Sequence, residues 1–200
     1  MKPLIFEPGE QDSKSLQLRD FKDMQKMKTV FVMDRTTHRA TSEAYAQWVI
    51  DGEGRATIKH DGTSCLIEGG KLFKRFDAKK GRRPPDGWVP CEPAPDPKTG
   101  SWPGWVPVDM NDSASIWHAE AFEPGLADGT YELVGPKVQG NRYGLVRHQL
   151  WRHGCAEVEV GRTMEDMIAW LEANDHEGLV FHHPDGRMAK VRRKDFGLRW

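Results

Sequence analysis

Short apolar runs alternate with polar residues along this chain, and turn-forming residues separate them. Ala56-Thr57-Ile58 ends in an isolated lysine, Lys59. Asp61-Gly62 follows at once, and Ser64-Cys65-Leu66-Ile67 opens a second apolar run. The pattern predicts strand, turn, strand, as in a hairpin. Residues 71–76 alternate, with Leu72, Lys74 and Phe76 on one face and Phe73 and Arg75 on the other. Further strands are expected over 29–32, 129–134 and 155–160. A hairpin is expected from 178–183 and 187–193 around Pro184-Asp185-Gly186. Met164, Met167, Ile168 and Leu171 repeat at helical spacing, after a candidate N-cap at Thr163 with Asp166 three residues on. A shorter helix is expected within 42–50. Residues 1–28 are polar, with Leu16, Leu18, Phe21 and Met24 as candidate anchors.

The segment 84–107 is rich in Pro, Gly and Trp and is expected to hold no central strand or helix. Trp88, Trp102 and Trp105 argue that it is ordered, because disordered segments are poor in aromatics. Many short strands and few helices predict an antiparallel α+β architecture rather than a doubly wound sheet.

Composition narrows the class. At 200 residues and 38% hydrophobic content the chain is expected to form one domain, 1–200, with one core. A net charge of -1 excludes a wholly basic nucleic-acid binder, so such binding must use a local patch. The three cysteines, Cys65, Cys91 and Cys155, form no C-x-x-C pair and fit free thiols in a reducing compartment. The start runs into acids by Glu7 and Glu10, unlike a signal peptide. No apolar run approaches the ~20 residues of a membrane helix. A cytoplasmic, non-membrane protein is expected, as a monomer.

Four strand-like runs each carry an ionisable residue beside apolar ones: Lys59-His60-Asp61-Gly62, Tyr131-Glu132-Leu133-Val134-Gly135, Glu177-Gly178-Leu179-Val180-Phe181 and Ala189-Lys190-Val191-Arg192. Two glutamates, an isolated lysine and a basic pair suit a nucleotide triphosphate with its metal. Carboxylates hold a hard cation. Cations two apart on a strand share a face and grip one phosphate. Taken singly, each run also reads as a solvated strand face.

The order K-x-D-G, Y-E-L-V-G, E-G-L-V-F, K-V-R resembles the covalent nucleotidyltransferase superfamily of polynucleotide ligases and RNA capping enzymes. Within it, residues 131–145 and 177–200 are similar to ATP-dependent RNA ligases, and the resemblance spans about 55–200. It implies an antiparallel-sheet adenylation domain. It also implies a reaction joining RNA 5′-phosphate and 3′-hydroxyl ends, with ATP as adenylyl donor and Mg2+ or Mn2+ as metal. Lys59 would become AMP-linked. Asp61 and Gly62 would line the nucleotide site, and Glu132 would contact the ribose. Glu177, with Glu132, would support the metal. Lys190 and Arg192 would hold the α-phosphate, Arg75 or its neighbour Lys74 would supply a further cation, and Leu179 would pack on the adenine.

The chain departs from the family pattern in three places. The final pair is Lys-x-Arg rather than Lys-x-Lys, Ile58 stands where many ligases carry glutamate, and the base-stacking aromatic is left open among Tyr143, His148 and Trp151. The resemblance leaves no segment for an appended OB-fold, which favours an RNA ligase.

Lys79, Lys80 and Arg82, and Arg193 and Lys194 near the end, are candidate RNA-backbone contacts; a solvated surface explains them too. His182-His183 and His153-Gly154-Cys155 suggest zinc, but adjacent residues on a strand point to opposite faces and ligand spacing is lacking. A GTP-dependent capping-type enzyme and a non-catalytic RNA-binding module remain the rival functions.

Overall fold

The structure, a computed structural model, describes residues 27–200. The anchors Leu16, Leu18, Phe21 and Met24 lie outside the described residues. Two antiparallel-rich sheets dominate. The first has β1 (Lys28–Thr29), β13 (Met188–Arg192), β12 (Gly178–His182), β4 (Arg55–Lys59) and β11 (Glu157–Val158) in that spatial order. Only the β1–β13 pair in it is parallel. The second has β10 (Gln149–Arg152), β9 (Gly129–Val134), β5 (Thr63–Glu68), β6 (Lys71–Ala78), β8 (Trp102–Pro107) and β7 (Val89–Pro90). A small ribbon pairs β2 (Phe31–Met33) with β3 (Ala40–Ala44). The helices are α1 (Gln47–Ile50), α2 (Ile116–Ala121) and α3 (Met164–Ala173). None of the described helices is long and apolar enough to cross a membrane. The three cysteines are free, Cys65 and Cys91 buried and Cys155 exposed.

Helix α3 begins where its capping chemistry directs. The Thr163 hydroxyl accepts from the Asp166 N–H at 3.1 Å, and the Asp166 carboxylate accepts from the Thr163 N–H at 3.3 Å. Met167 and Leu171 then point down onto Leu179, Phe181, Ala189 and Val191 of the first sheet, where Val30, Phe31, Trp48 and Val49 complete the core. Alternation sends the residues between them to the opposite face: Thr57, Lys59, Gly178, Val180, Lys190 and Arg192. The second sheet divides likewise. Cys65, Ile67, Leu72, Tyr131 and Leu133 pack with Ala121 and Val138 on one face, while Leu66, Phe73 and Trp105 pack with Cys91 on the other.

The structure alters several expectations. Strands β4 and β5 are not a hairpin: each joins a different sheet, and residues 59–62 cross between them. Local turn chemistry is the same in both cases; pairing partners far along the chain decide the outcome. The stretch 29–32 is broken at the buried Val30, which lies between β1 and β2. The segment 42–50 is half strand, with a helix of one turn. Strand β11 covers two residues of the expected 155–160.

The segment 84–107 does contain an internal strand, β8, between β6 and β7. Its prolines, Pro103 and Pro107, are tolerated because one neighbour, β7, spans only two residues and demands few ladder bonds. The tryptophans order this region. The Trp88 indole N–H donates to the Phe76 carbonyl at 3.2 Å, that of Trp102 to the Glu92 carbonyl at 2.7 Å, and Trp105 is 2% exposed.

Candidate active site

The cleft opens where residues 59–62 leave one sheet for the other. Lys59 is the last residue of β4 and pairs with Gly178, which in turn pairs with Arg192. A side chain at position 178 would run into the backbone, since a Cβ there would lie 2.1 Å from the Val191 carbonyl oxygen. Glycine therefore keeps the β12–β13 ladder intact and leaves open space between the Lys59 and Arg192 side chains. Gly62 does the same at the far side. A Cβ there would lie 2.2 Å from the Leu133 carbonyl oxygen and 2.8 Å from Glu132 Cγ. That close approach brings β9, and with it Glu132, up against the lysine loop.

The resulting cavity, of about 390 Å3, is lined by Lys59, Asp61, Gly62, Glu132, Gln139, Glu177, Arg192, Lys194 and Trp200. Lys59 Nζ donates to Glu177 Oε2 at 2.5 Å and lies 3.3 Å from the His60 carbonyl oxygen. Glu132 accepts from the Ser64 hydroxyl at 3.2 Å and lies 2.8 Å from His153 Nε2. The Asp61 N–H donates to the Tyr143 hydroxyl at 2.7 Å, and its carboxylate accepts from the Trp200 indole at 2.6 Å. Arg192 is aimed by the buried Asp195, which receives its Nη2 at 2.8 Å, its Nε at 3.2 Å and its backbone N–H at 2.9 Å. Lys190 has no side-chain hydrogen-bond partner among the described residues.

Burial and like charge shape the electrostatics. Burial, then Arg192 and Lys59, bring Lys190 down to about 8. Burial raises the Glu177 carboxyl, against the pull of Lys59. Burial, then His153, brings His60 down to about 4, so its ring is neutral at pH 7. Burial, with the negative charges of Asp61, Glu177 and Glu132, pushes Tyr143 up to about 12.

A folded-state value below the ordinary one means that the unfolded chain holds the Lys190 proton at pH values where the folded chain has lost it. Lys190 thus adds stability as pH rises from about 8 toward the ordinary lysine value, and its charge is a liability below that window. Lys190→Met is accordingly expected to raise the melting temperature of the nucleotide-free protein at pH 7 while weakening nucleotide binding. Calorimetry and a nucleotide titration check both signs; a lower melting temperature contradicts the liability.

Several expected residues fall elsewhere. Leu179 is fully buried under α3, on the face away from the cleft, so it cannot pack on a base there. Val180, its neighbour, is on the cleft face, 9% exposed. Lys74 points to the Cys65 face of the second sheet and donates to the Ser115 hydroxyl at 3.1 Å. Arg75, next to the Lys74 that pairs with Cys65, falls by alternation on the face of Ser64 and Glu132 and pairs with Trp105. It is held there by Asp77 at 3.0 Å and by the Trp105 ring at 5.5 Å. Arg193 is structural: its guanidinium donates to the carbonyls of Leu171 at 2.5 Å and Asn174 at 3.2 Å, closing the end of α3. Lys79, Lys80 and Arg82 lie exposed on the loop after β6, and only Lys194 of the proposed RNA contacts lines the cleft.

Of the open aromatic candidates, His148 is buried against Glu120 and Trp117. Tyr143 and Trp151 pack together at 4.7 Å, with His60 edge-on to Trp151 at 4.9 Å. Ser64, Gln139, Asp195 and Trp200 belong to the site although no motif marks them, and His153, a zinc candidate in the sequence, instead meets Glu132. Asp195 carried a signal, three residues after Arg192 where a capping box closes.

His182 faces Thr57 and His183 faces Trp48 and Glu53, on opposite sides of the sheet. No group of three or more His, Cys, Asp or Glu among the described residues could hold a metal unaided. Mg2+ is a cation that proteins commonly hold through one or two carboxylates plus substrate phosphates. Glu177, bonded to Lys59 through Oε2, retains a second oxygen for such a cation. Glu132 likewise meets Ser64 and His153 through one oxygen, Oε2.

Comparison with known proteins bears on this cleft. Residues 124–200 match the sequence profile of the RNA ligase 1 family, a stretch that holds Glu132, Glu177, Lys190 and Arg192 but not Lys59. The chain is 28% identical to RNA ligase 1 of Rattus norvegicus over 221 aligned positions, covering 72% of this chain and 68% of that protein. It is 28% identical to RNA ligase 1 of Danio rerio with the same coverage. It is 30% identical to RNA ligase 1 of Pongo abelii over 160 positions, 58% of this chain and 49% of the relative. The expected likeness to RNA ligases is borne out.

Proposed function

We propose that this RNA ligase-like chain is an ATP-dependent enzyme that joins RNA 5′-phosphate and 3′-hydroxyl ends through a lysyl-AMP on Lys59. The facing sheets are read as a nucleotidyltransferase domain. The observation that carries the proposal is convergence: Lys59, Glu132, Glu177 and Arg192, up to 133 residues apart in sequence, line one cavity, with Lys59 Nζ 2.5 Å from Glu177 Oε2.

Lys59 Nζ attacks the α-phosphorus of ATP. A P–N bond forms, the bond to the bridging oxygen breaks, and pyrophosphate departs. The amine's proton leaves toward Glu177, the carboxylate already bonded to it. Arg192 and Lys190 face the non-bridging oxygens, where negative charge grows. Tyr143, Trp151 and His60, packed together and tied to the lysine loop through the Asp61 N–H, would offer an aromatic wall for the base. Glu132, fixed by Ser64 and His153, accepts a hydrogen bond from the ribose. A Mg2+ ion, held by Glu177 and the phosphates, would neutralise charge on the leaving group. In the second step a 5′-phosphate oxygen of RNA attacks the same phosphorus, the P–N bond breaks, and Lys59 regains its proton. In the third, the 3′-hydroxyl attacks the activated 5′-phosphate, forming the phosphodiester and releasing AMP.

Intact mass after incubation with ATP and Mg2+ is expected to rise by one adenylate, and incubation with GTP to leave it unchanged. A guanylate adduct instead would select the capping-type reading. No adduct from either nucleotide would leave only an RNA-binding module. Gel assays with 5′-phosphorylated RNA then test joining.

A further inference from the structure

A second groove adjoins the cleft and shares only Arg192 with the four motifs. Its volume is about 540 Å3, and its lining includes Thr37, His38, Arg39, Arg192, Lys194 and Asp195. Arg192 and Lys194 line both cavities, so the two share a wall. The far wall is the turn between β2 and β3, and it is built rather than loose. Asp34 accepts from the Thr36 N–H at 3.0 Å, the Thr37 N–H at 2.6 Å and the Thr37 hydroxyl at 2.8 Å. Arg39 is anchored across the groove by its Nη1 bond to the Lys194 carbonyl at 2.7 Å. Its guanidinium lies over Gly197, where a Cβ would sit 3.1 Å from Cζ at a backbone φ of +87°.

The charge balance is positive. Arg39, Arg192 and Lys194 face the groove, and the one carboxylate lining it, Asp195, spends both oxygens on the guanidinium and backbone of Arg192. We propose that this groove binds the phosphodiester backbone of the RNA strand being joined, leading it to the reacting phosphate at Arg192. The inference rests on the RNA ligase reading and deepens it by assigning the track of the polymer. A groove larger than the nucleotide cleft exceeds what the two leaving phosphates of ATP need. A polynucleotide supplies an anion at every residue, and planar guanidinium groups suit phosphate oxygens.

The test measures the affinity of a fluorescent, 5′-phosphorylated single-stranded RNA by anisotropy across a range of salt, beside the rate of self-labelling by ATP. Arg39→Gln and Arg39→Lys both lose the fork that reaches the Lys194 carbonyl but differ in charge. Arg39→Gln is expected to weaken RNA binding on the order of tenfold and to lower the salt slope by ~0.7 for one lost phosphate contact, with Arg39→Lys restoring most of both. Arg39→Glu should weaken binding further. Equal affinity and slope for Arg39→Gln and Arg39→Lys would overturn the proposal. So would a fall in ATP labelling with RNA affinity intact, which would give the groove to the polyphosphate of ATP. Binding is read without chemistry, so a failure of Lys59 to take up AMP would sink the ligase reading and leave this measurement standing.

Discussion

Lys59→Ala is expected to take up no AMP from ATP, where the unaltered protein gains one adenylate. Among the groups lining the cleft, Lys59 presents the only primary amine bonded to a carboxylate, at 2.5 Å from the half-buried Glu177. Lys194 lines the cleft too and Lys190 feels the Lys59 charge from outside that lining, yet neither makes that bond, so neither replaces it in position. Lys59→Arg should be equally inert: a guanidinium keeps the charge and the Glu177 contact but stays protonated and is no nucleophile. The pair separates chemistry from electrostatics. A third measurement separates step one from step three. RNA supplied with a ready-made 5′-adenylate needs no lysine adduct, so Lys59→Ala should still join such RNA measurably while failing with 5′-phosphate RNA and ATP. An adenylate adduct on Lys59→Ala, by intact mass, sinks the assignment.

Glu177→Gln is the second large effect. The substitution keeps size and an accepting oxygen but removes the charge, and charge-assisted bonds are about twice as strong as neutral ones. Lys59 would then share a partly buried site with Lys190 and Arg192 and no paired carboxylate. The amine loses its fixed direction and the neighbour that receives its proton. A misplacement near 1 Å costs roughly 10²-fold in rate, and self-labelling should fall by at least about that factor. Lost orientation and a lost proton acceptor act on the chemical step and should appear in the maximal rate at saturating ATP and Mg2+, whereas loss of the Glu177 oxygen as a metal ligand should appear in the ATP concentration at half-rate. Single-turnover labelling over a range of ATP separates the two. A rate within threefold of the unaltered protein would show that Glu177 neither orients nor deprotonates Lys59.

Leu179 and Lys74 show where reading the chain reached its end. Both sit in strands the alternation located correctly, β12 and β6, and both point away from the cleft. Periodicity says which residues share a face; it is silent on which face a distant element covers. Helix α3 lands on the Leu179 side, so Val180 and Lys190 meet the cleft. On β6 the pairing of Lys74 with Cys65, on the face away from Ser64 and Glu132, decides between Arg75 and Lys74. The loop 59–62 makes the same point, because a tight turn serves a hairpin or a crossing between sheets alike.

The linear order of residues was sufficient for the α+β class, the capped helix at Thr163, the 178–192 hairpin and the four motif stretches, because each follows from interactions within a few residues. Convergence of Lys59, Glu132, Glu177 and Arg192, the handover of Arg192 to Asp195, the second groove beside Arg39 and the facing of every strand belong to the tertiary structure. They depend on contacts between segments tens to more than a hundred residues apart, whose geometry is set by packing of the sheets and not by any local preference.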